Sequence, residues 1–404
     1  MSIAQGINKK VTIRKQTGLG VIGAATAQVL RRETATFNLS KSTFENNEIA
    51  AHQQSTGITH GLRSVAGTIN GVLSPNTYST LFASLLRKAF TATAALTGMS
   101  ITIGGVAGAW TLTRAAGDFL TGGIKIGDVV RLTAGTFATA NLNNNILVTN
   151  VTALVITGKT VNGSTLTTEG PIASATLTVP GKKSIVPLTA QTQEYWAIEQ
   201  WHSDISRSEL FTDNVVGSVD VGLPSEGNAT VAFAFAGLEA AYAASEVLTG
   251  ATAATTTPVL TAVNGILLAN GVQVGNVTGA SLKIDCSAAN MGAVIGSDNS
   301  PDVQRGRIKV SGQLTVFKQD GAFSTLFDAA TEFGIVLVVT DDQTKDADFV
   351  SFSMSSVKFS GDTSDDGEKG IVQTMPFTAQ LNSSGGAALA NDQTIISIQD
   401  SLAA

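Results

Sequence analysis

One stretch of this chain occurs twice, in a single register. Displaced by 245 positions (287 − 42), Ser42, Ser55, Gly61, Val65, Gly67, Ser79, Thr80, Leu81 and Phe82 fall on Ser287, Ser300, Gly306, Val310, Gly312, Ser324, Thr325, Leu326 and Phe327. These nine identities over the 46 positions 37–82 exceed the roughly three that random pairing at ordinary composition gives. Paired positions that differ keep their character: Phe37/Leu282, Leu39/Ile284, Ile49/Val294, Ile58/Val303 and Ile69/Leu314. A fixed offset of this kind marks a duplicated structural unit. One chain can then fill two like places in a ring or lattice.

Periodicity gives each copy the same plan. Residues 34–39 set Ala35, Phe37 and Leu39 against Thr36 and Asn38, the alternation of a half-buried strand. Residues 45–58 are polar and read as a long arm. Alternation returns over 62–73, with Val65, Gly67 and Ile69 on one side and Ala66, Thr68 and Asn70 on the other. Over 76–90 the period changes to three and four through Tyr78, Leu81, Phe82, Leu85 and Leu86, which predicts an amphipathic helix. The second copy repeats the order: strand 281–286, arm 290–303, strand 308–317, helix 320–332.

After the helices the copies part. Matching Ser356-Val357-Lys358-Phe359 to Ser218-Val219-Asp220-Val221 leaves the first copy longer by about 107 residues ((219 − 82) − (357 − 327)). The extra length reads as short strands near 128–133, 146–153, 154–157, 165–168 and 175–179 between glycines, a small β-barrel or sandwich whose removal the duplicated unit should tolerate, since the second copy lacks it. The expected fold is mainly β: two tandem sandwich or barrel units, each with one flanking helix, plus the insert. Boundaries fall at 1–33 (N-terminal arm), 34–92 with 193–238 (first unit), 93–192 (insert), 239–264 (linker) and 265–404 (second unit). Asn270-Gly271 marks a hairpin turn.

Composition excludes more than it assigns. Charged residues make up only 14% and the net charge is −6, which argues against a tight clamp on nucleic-acid phosphates. A single cysteine, Cys286, rules out an intrachain disulfide framework and a Cys-based zinc site. Gly18-Leu19-Gly20-Val21-Ile22-Gly23 imitates a dinucleotide fingerprint, but the preceding Val11-Thr12-Ile13-Arg14-Lys15 is too charged for a buried parallel strand, and the glycines read as a flexible arm. Lys9, Lys10, Arg14 and Lys15 ahead of an apolar run imitate a secretory leader, yet they alternate with Val11 and Ile13 as in a strand. The uncharged runs 89–113 and 247–282 carry too much Thr, Gly, Ser and Asn for membrane spans. No nucleophile, acid and base can be assembled, so no catalytic, cofactor or metal site is expected; the carboxylates at Asp341-Asp342 and Asp362 to Glu368 read as solvated turns.

Several runs resemble a known family. Gln16-Thr17-Gly18-Leu19-Gly20, Leu30-Arg31-Arg32 leading into Thr34-Ala35-Thr36-Phe37-Asn38-Leu39, the arm Glu45-Asn46-Asn47-Glu48-Ile49, Arg63 to Gly71, and Ser300-Pro301-Asp302-Val303 through Gly312 are similar to the tail tube (major tail) proteins of long, non-contractile-tailed bacteriophages. The resemblance implies a structural virion protein, assembled in the host cytoplasm, that polymerises into stacked rings around a channel for the genome. It implies as partners a tape-measure protein, a tail terminator and tail-tip proteins, and DNA in transit without tight binding. With two units per chain, a homotrimer supplies six places. Strand parity nominates Thr68, Asn70, Ser311, Gln313 and Thr315 for the lumen, matched places in the two copies add Asp220 and Lys358, and the arms nominate Glu45, Asn47, Glu48, Ile49, His52, Ile295, Asp298 and Asp302 for contacts between subunits. The alternative is a secreted surface-array or adhesin-like protein, which could carry the same Thr-, Gly- and Asn-rich strands.

Overall fold

β1 (Lys9–Lys15) buries Val11, Thr12 and Ile13 in a row between basic residues, and its lysines are tied at the rim: Lys9 Nζ donates to the Ala35 carbonyl and to Gln200 Oε1, and Lys10 Nζ pairs with Glu246. It pairs along its whole length with Trp196–His202, so the segment expected to be an arm is built into a sheet. The computed structural model describes residues 3–403 apart from 50, 53 and 367. β2 (Thr34–Glu45) and β3 (Ile58–Val72) then form a long antiparallel hairpin, and helix α1 (Ser79–Leu86) follows. The helix is shorter than predicted because Asn76 and Arg87 both take φ of 62°, left-handed backbone that a helix cannot continue through.

The insert is a closed barrel. β4 (Leu96–Val106), β5 (Ala109–Arg114), β6 (Val129–Ala134), β7 (Ile146–Val151), β8 (Val155–Thr160) and β9 (Glu169–Thr178) close in the order β9-β4-β5-β8-β7-β6 around Ile101, Leu112, Leu132, Val148 and Ile156. Residues 165–168 are not a strand: the Asn141 side chain bonds both backbone groups of Thr167, standing in for a strand neighbour. The barrel does not stand apart. Val129, Leu147 and Val161 pack on Ile266, Leu268, Val336, Val338 and Phe349 of the second half. At its exit, β10 (Lys182–Ile185) pairs with Ser397–Asp400 near the C-terminus.

β11 (Trp196–His202), β12 (Arg207–Pro224), β13 (Thr230–Gly237) and β14 (Glu239–Ala243) complete the first half. β14 lies within the expected linker, where Leu248 and Leu260 are also fully buried. The second half runs β15 (Thr261–Ala269), β16 (Val277–Asp285), β17 (Lys309–Phe317), α2 (Ala322–Asp328), β18 (Phe333–Thr340), β19 (Phe349–Phe359), β20 (Thr363–Ser364), β21 (Val372–Ala379) and β22 (Ser397–Asp400). Between β15 and Val272–Gln273, Asn270 and Gly271 take φ of 52° and 75°, the two left-handed residues that a type I′ hairpin needs.

The sequence offset is also an offset of strand register. Phe37 faces Gly67 as Leu282 faces Gly312, and Ala35 faces Ile69 as Ala280 faces Leu314. Flanking pairings correspond too: β1 borders β11 as β15 borders β18, and β14 borders β12 as β22 borders β19. Both glycines lie beneath an aromatic ring, Phe37 over Gly67 and Phe377 over Gly312, leaving no room for a Cβ. One match from the sequence is corrected. Val216 faces Phe235, which faces Gly67, and Phe359 faces Phe377, which faces Gly312. Val216 therefore answers Phe359, and the place of Asp220 is answered by Thr363, not Lys358. A register shift between Val216 and Ser218 hides this in the linear sequence, and the extra length becomes 102 residues ((216 − 82) − (359 − 327)).

Candidate functional site: one polar face across eight strands

Eight antiparallel strands run edge to edge through both halves in the order β2-β3-β13-β12-β16-β17-β21-β19, with β20 continuing the last edge. The halves meet at β12 and β16, which pair from Ser218↔Asp285 to Pro224↔Gly279. One face of this sheet is core. Phe37, Ile69, Phe233, Val219, Leu282, Leu314 and Phe377 are all buried on it, because alternate residues of every strand point the same way. Cys286, just past β16, lies in that core and donates its thiol to the Val216 carbonyl at 3.3 Å.

The opposite face holds every residue nominated for a lumen. A single row of cross-strand partners runs Thr34, Asn70, Ala232, Asp220, Lys283, Ser311, Thr378 and Lys358. Thr68 lies on β3 two residues from Asn70, and Gln313 and Thr315 continue from Ser311 on β17. The chemistry is hydroxyl and amide: Thr36 and Thr68 share a hydrogen bond at 2.9 Å, and Asn70 Nδ2 donates to Thr34 Oγ1 at 2.9 Å. Charge is sparse and balanced. Lys283 Nζ is 3.4 Å from Asp220 Oδ2, and Lys358 Nζ is 3.2 Å from Glu332 Oε1.

The two arms differ. Residues of the second arm are clipped to the first half: Asp298 Oδ2 is 2.7 Å from Arg63 Nε, and Tyr195 Oη donates to Asp302 Oδ1 at 2.9 Å. Partial burial, helped by Asp302, pushes the Tyr195 pKa up to about 12, so the phenol keeps the proton it donates. Val303 is fully buried where this arm returns, and Arg305 donates to the carbonyls of Ser84 and Glu194. Ile295, at the tip, is fully exposed. The first arm makes no such contacts among its described residues. Glu45, Asn47, Glu48, Ile49 and His52 are exposed, and the hydrogen bonds of Glu48 and His52 are local, to Asn46 and Gln54. Among the described residues no group of three or more His, Cys, Asp or Glu is placed to hold a metal ion, and no helix is long and apolar enough to cross a membrane.

A sequence model of the family described as phage tail tube protein matches residues 6–379. The chain belongs to the phage tail tube protein family. It is a structural component of the virion tail, and its β-rich architecture, with two short α-helices among the described residues, agrees with that membership. Among curated proteins no match was found. The tail tube match covers β1 and the inserted barrel as well as both copies. Sequence reasoning read Val11 and Ile13 as strand-like but gave β1 no partner, and it missed β14 and β22; Ala-rich β14 offers no signal.

Proposed function

We propose that this chain closes into rings of three, each chain giving two like units, and that the rings stack into the tail tube with the eight-strand polar face lining the channel for the genome. The observation that carries this is the uninterrupted sheet through both halves, ending in an unpaired edge at β2 and another at β20 among the described residues. Closing such a sheet on itself removes both edges.

Size favours three chains over two. Strands about 4.8 Å apart, tilted by about 40°, close at a backbone diameter of about 45–50 Å for twenty-four strands (3 × 8) and about 30–35 Å for sixteen (2 × 8). Side chains projecting about 5 Å from each wall then leave room for a DNA duplex in the first ring and almost none in the second. The face of hydroxyls, amides and paired charges suits passage, since strong binding needs many unpaired lysines and arginines facing phosphate. Electron microscopy of the assembled protein, with the solution mass, tests the reading: stacked rings of three chains with a central hole support it, and rings of six chains, flat arrays or permanent monomers overturn it.

A further inference from the structure

We propose that chains join by repeating, between molecules, the β12–β16 junction that each makes within itself, with β2 of one chain laid antiparallel along residues 361–366 of the next. This rests on the ring reading above and specifies its contact residue by residue. Inside the chain Val219 faces Ile284, Asp220 faces Lys283 and Val221 faces Leu282. Under the 245-residue offset, Ile284, Lys283 and Leu282 are answered by Leu39, Asn38 and Phe37. Asp220 faces Ala232 and Thr363 faces Thr374, while Ala232 and Thr374 face the like residues Asn70 and Thr315, so Val219, Asp220 and Val221 are answered by Asp362, Thr363 and Ser364. The junction between chains therefore sets Leu39 against Asp362, Asn38 against Thr363 and Phe37 against Ser364.

The helices point the same way. In α1 and the residue before it, Tyr78, Leu81 and Phe82 are 2%, 0% and 3% exposed; Tyr78 and Phe82 pack on Phe233 of their own half, and the second half adds Phe352, edge-on to Phe82 at 5.9 Å between centroids, and Asp400, which accepts from Ser79. Their counterparts Phe323, Leu326 and Phe327 lack that cover, α2 has no fully buried residue, and Phe327 is 39% exposed. Phe317, beside them on β17, is 50% exposed. The cover that the second half gives α1 from within the chain is supplied to α2 by the neighbour. The ion pair of Asp220 and Lys283 has no analogue at Thr363 and Asn38, so the strand junction is held by backbone hydrogen bonds, and the apolar contact comes from beside it, at α2 and Phe317.

The test is oxidation of assembled Asn38→Cys/Thr363→Cys in a Cys286→Ala background, beside Asp220→Cys/Lys283→Cys, which occupies the like position within the chain. We expect the second pair to close at monomer mass and the first to give covalent two- and three-chain species, ending at three. Tubes in which the internal pair closes but Asn38→Cys/Thr363→Cys does not would overturn the edge register and leave the ring standing. A covalent series running to six would support the edge and overturn the three-chain ring. Should the substitutions block assembly, hydrogen exchange on wild-type protein decides: amides of β2 slowing at least tenfold on assembly support the junction, and unchanged exchange overturns it.

Discussion

Lys183 Nζ lies 2.8 Å from Asp128 Oδ1, with 11% and 3% of the two side chains exposed, and Asp392 Oδ2 closes on the same ammonium at 2.9 Å. This buried cluster joins the barrel to the C-terminal segment. Burial alone would lower the Lys183 pKa, but the carboxylates of Asp128 and Asp392 outweigh it and hold the ammonium above its ordinary range. Lys183→Met strands two carboxylates and should cost about 3–5 kcal/mol, seen as a lower urea midpoint. Because the folded lysine pKa is raised, its contribution is complete below the ordinary value of 10.5 and is lost as pH rises through the folded one. The stability gap between wild type and Lys183→Met should thus narrow at alkaline pH in thermal melts.

Removal of the barrel should not be neutral. Replacing residues 95–179 with a short linker uncovers Ile266, Leu268, Val336, Val338 and Phe349, an apolar patch on the second half. We expect the deletion to aggregate, and threonine at Ile266, Leu268, Val336 and Val338 to restore soluble protein. Sedimentation of the two deletions side by side checks this; a soluble unmodified deletion would show the barrel to be dispensable.

The two glycines beneath aromatic rings should respond unequally to alanine. At Gly67 the three atoms nearest an added methyl all belong to the Phe37 side chain, whereas at Gly312 the nearest is the Ser281 backbone carbonyl, which has less freedom to move than a ring. Both changes should destabilise by about 1–3 kcal/mol, with Gly312→Ala the larger, as read from denaturant midpoints.

Lysine at Thr68, Asn70, Ser311, Gln313 and Thr315 should leave assembly intact, since these side chains lie outside the core. Genome ejection should slow at low salt and recover as salt rises, the salt slope steepening by about 0.9 for each phosphate newly contacted. Ejection kinetics from particles built with the variant measure it; unchanged kinetics at low salt would place another face toward the DNA.

How far the fold was legible follows from where apolar residues alternate. β2, β3, β16 and β17 could be read because Phe37, Ile69, Leu282 and Leu314 fall at period two with polar neighbours between them. Thr68, Asn70, Ser311, Gln313 and Thr315 followed from that parity and lie on one face; Asp220 and Lys358 share the face although the match that nominated them was out of register. β14 was illegible because Glu239-Ala240-Ala241-Tyr242-Ala243 pairs through its backbone with β12 and buries little side chain. The shift near Gly217 was hidden because Val-Asp-Val and Val-Lys-Phe look alike in a line of letters, and only the strands beside them distinguish the registers. That Lys125 would serve the barrel seam, its ammonium donating to the carbonyls of Gly386, Ala387 and Leu389, needed the chain to bring positions far apart in sequence together.

The β12–β16 pairing is made within one molecule, and for a three-membered ring this changes the order of assembly in concentration. Six separate units must meet to form six contacts, each encounter losing translational and rotational freedom. A tethered pair forms three of those contacts while it folds, at a local concentration set by the connection after β14 and independent of how much protein the cell has made. In the proposed ring of three, closure would depend on the third power of subunit concentration instead of the sixth, so such a ring would persist on dilution where an untethered version would fall apart.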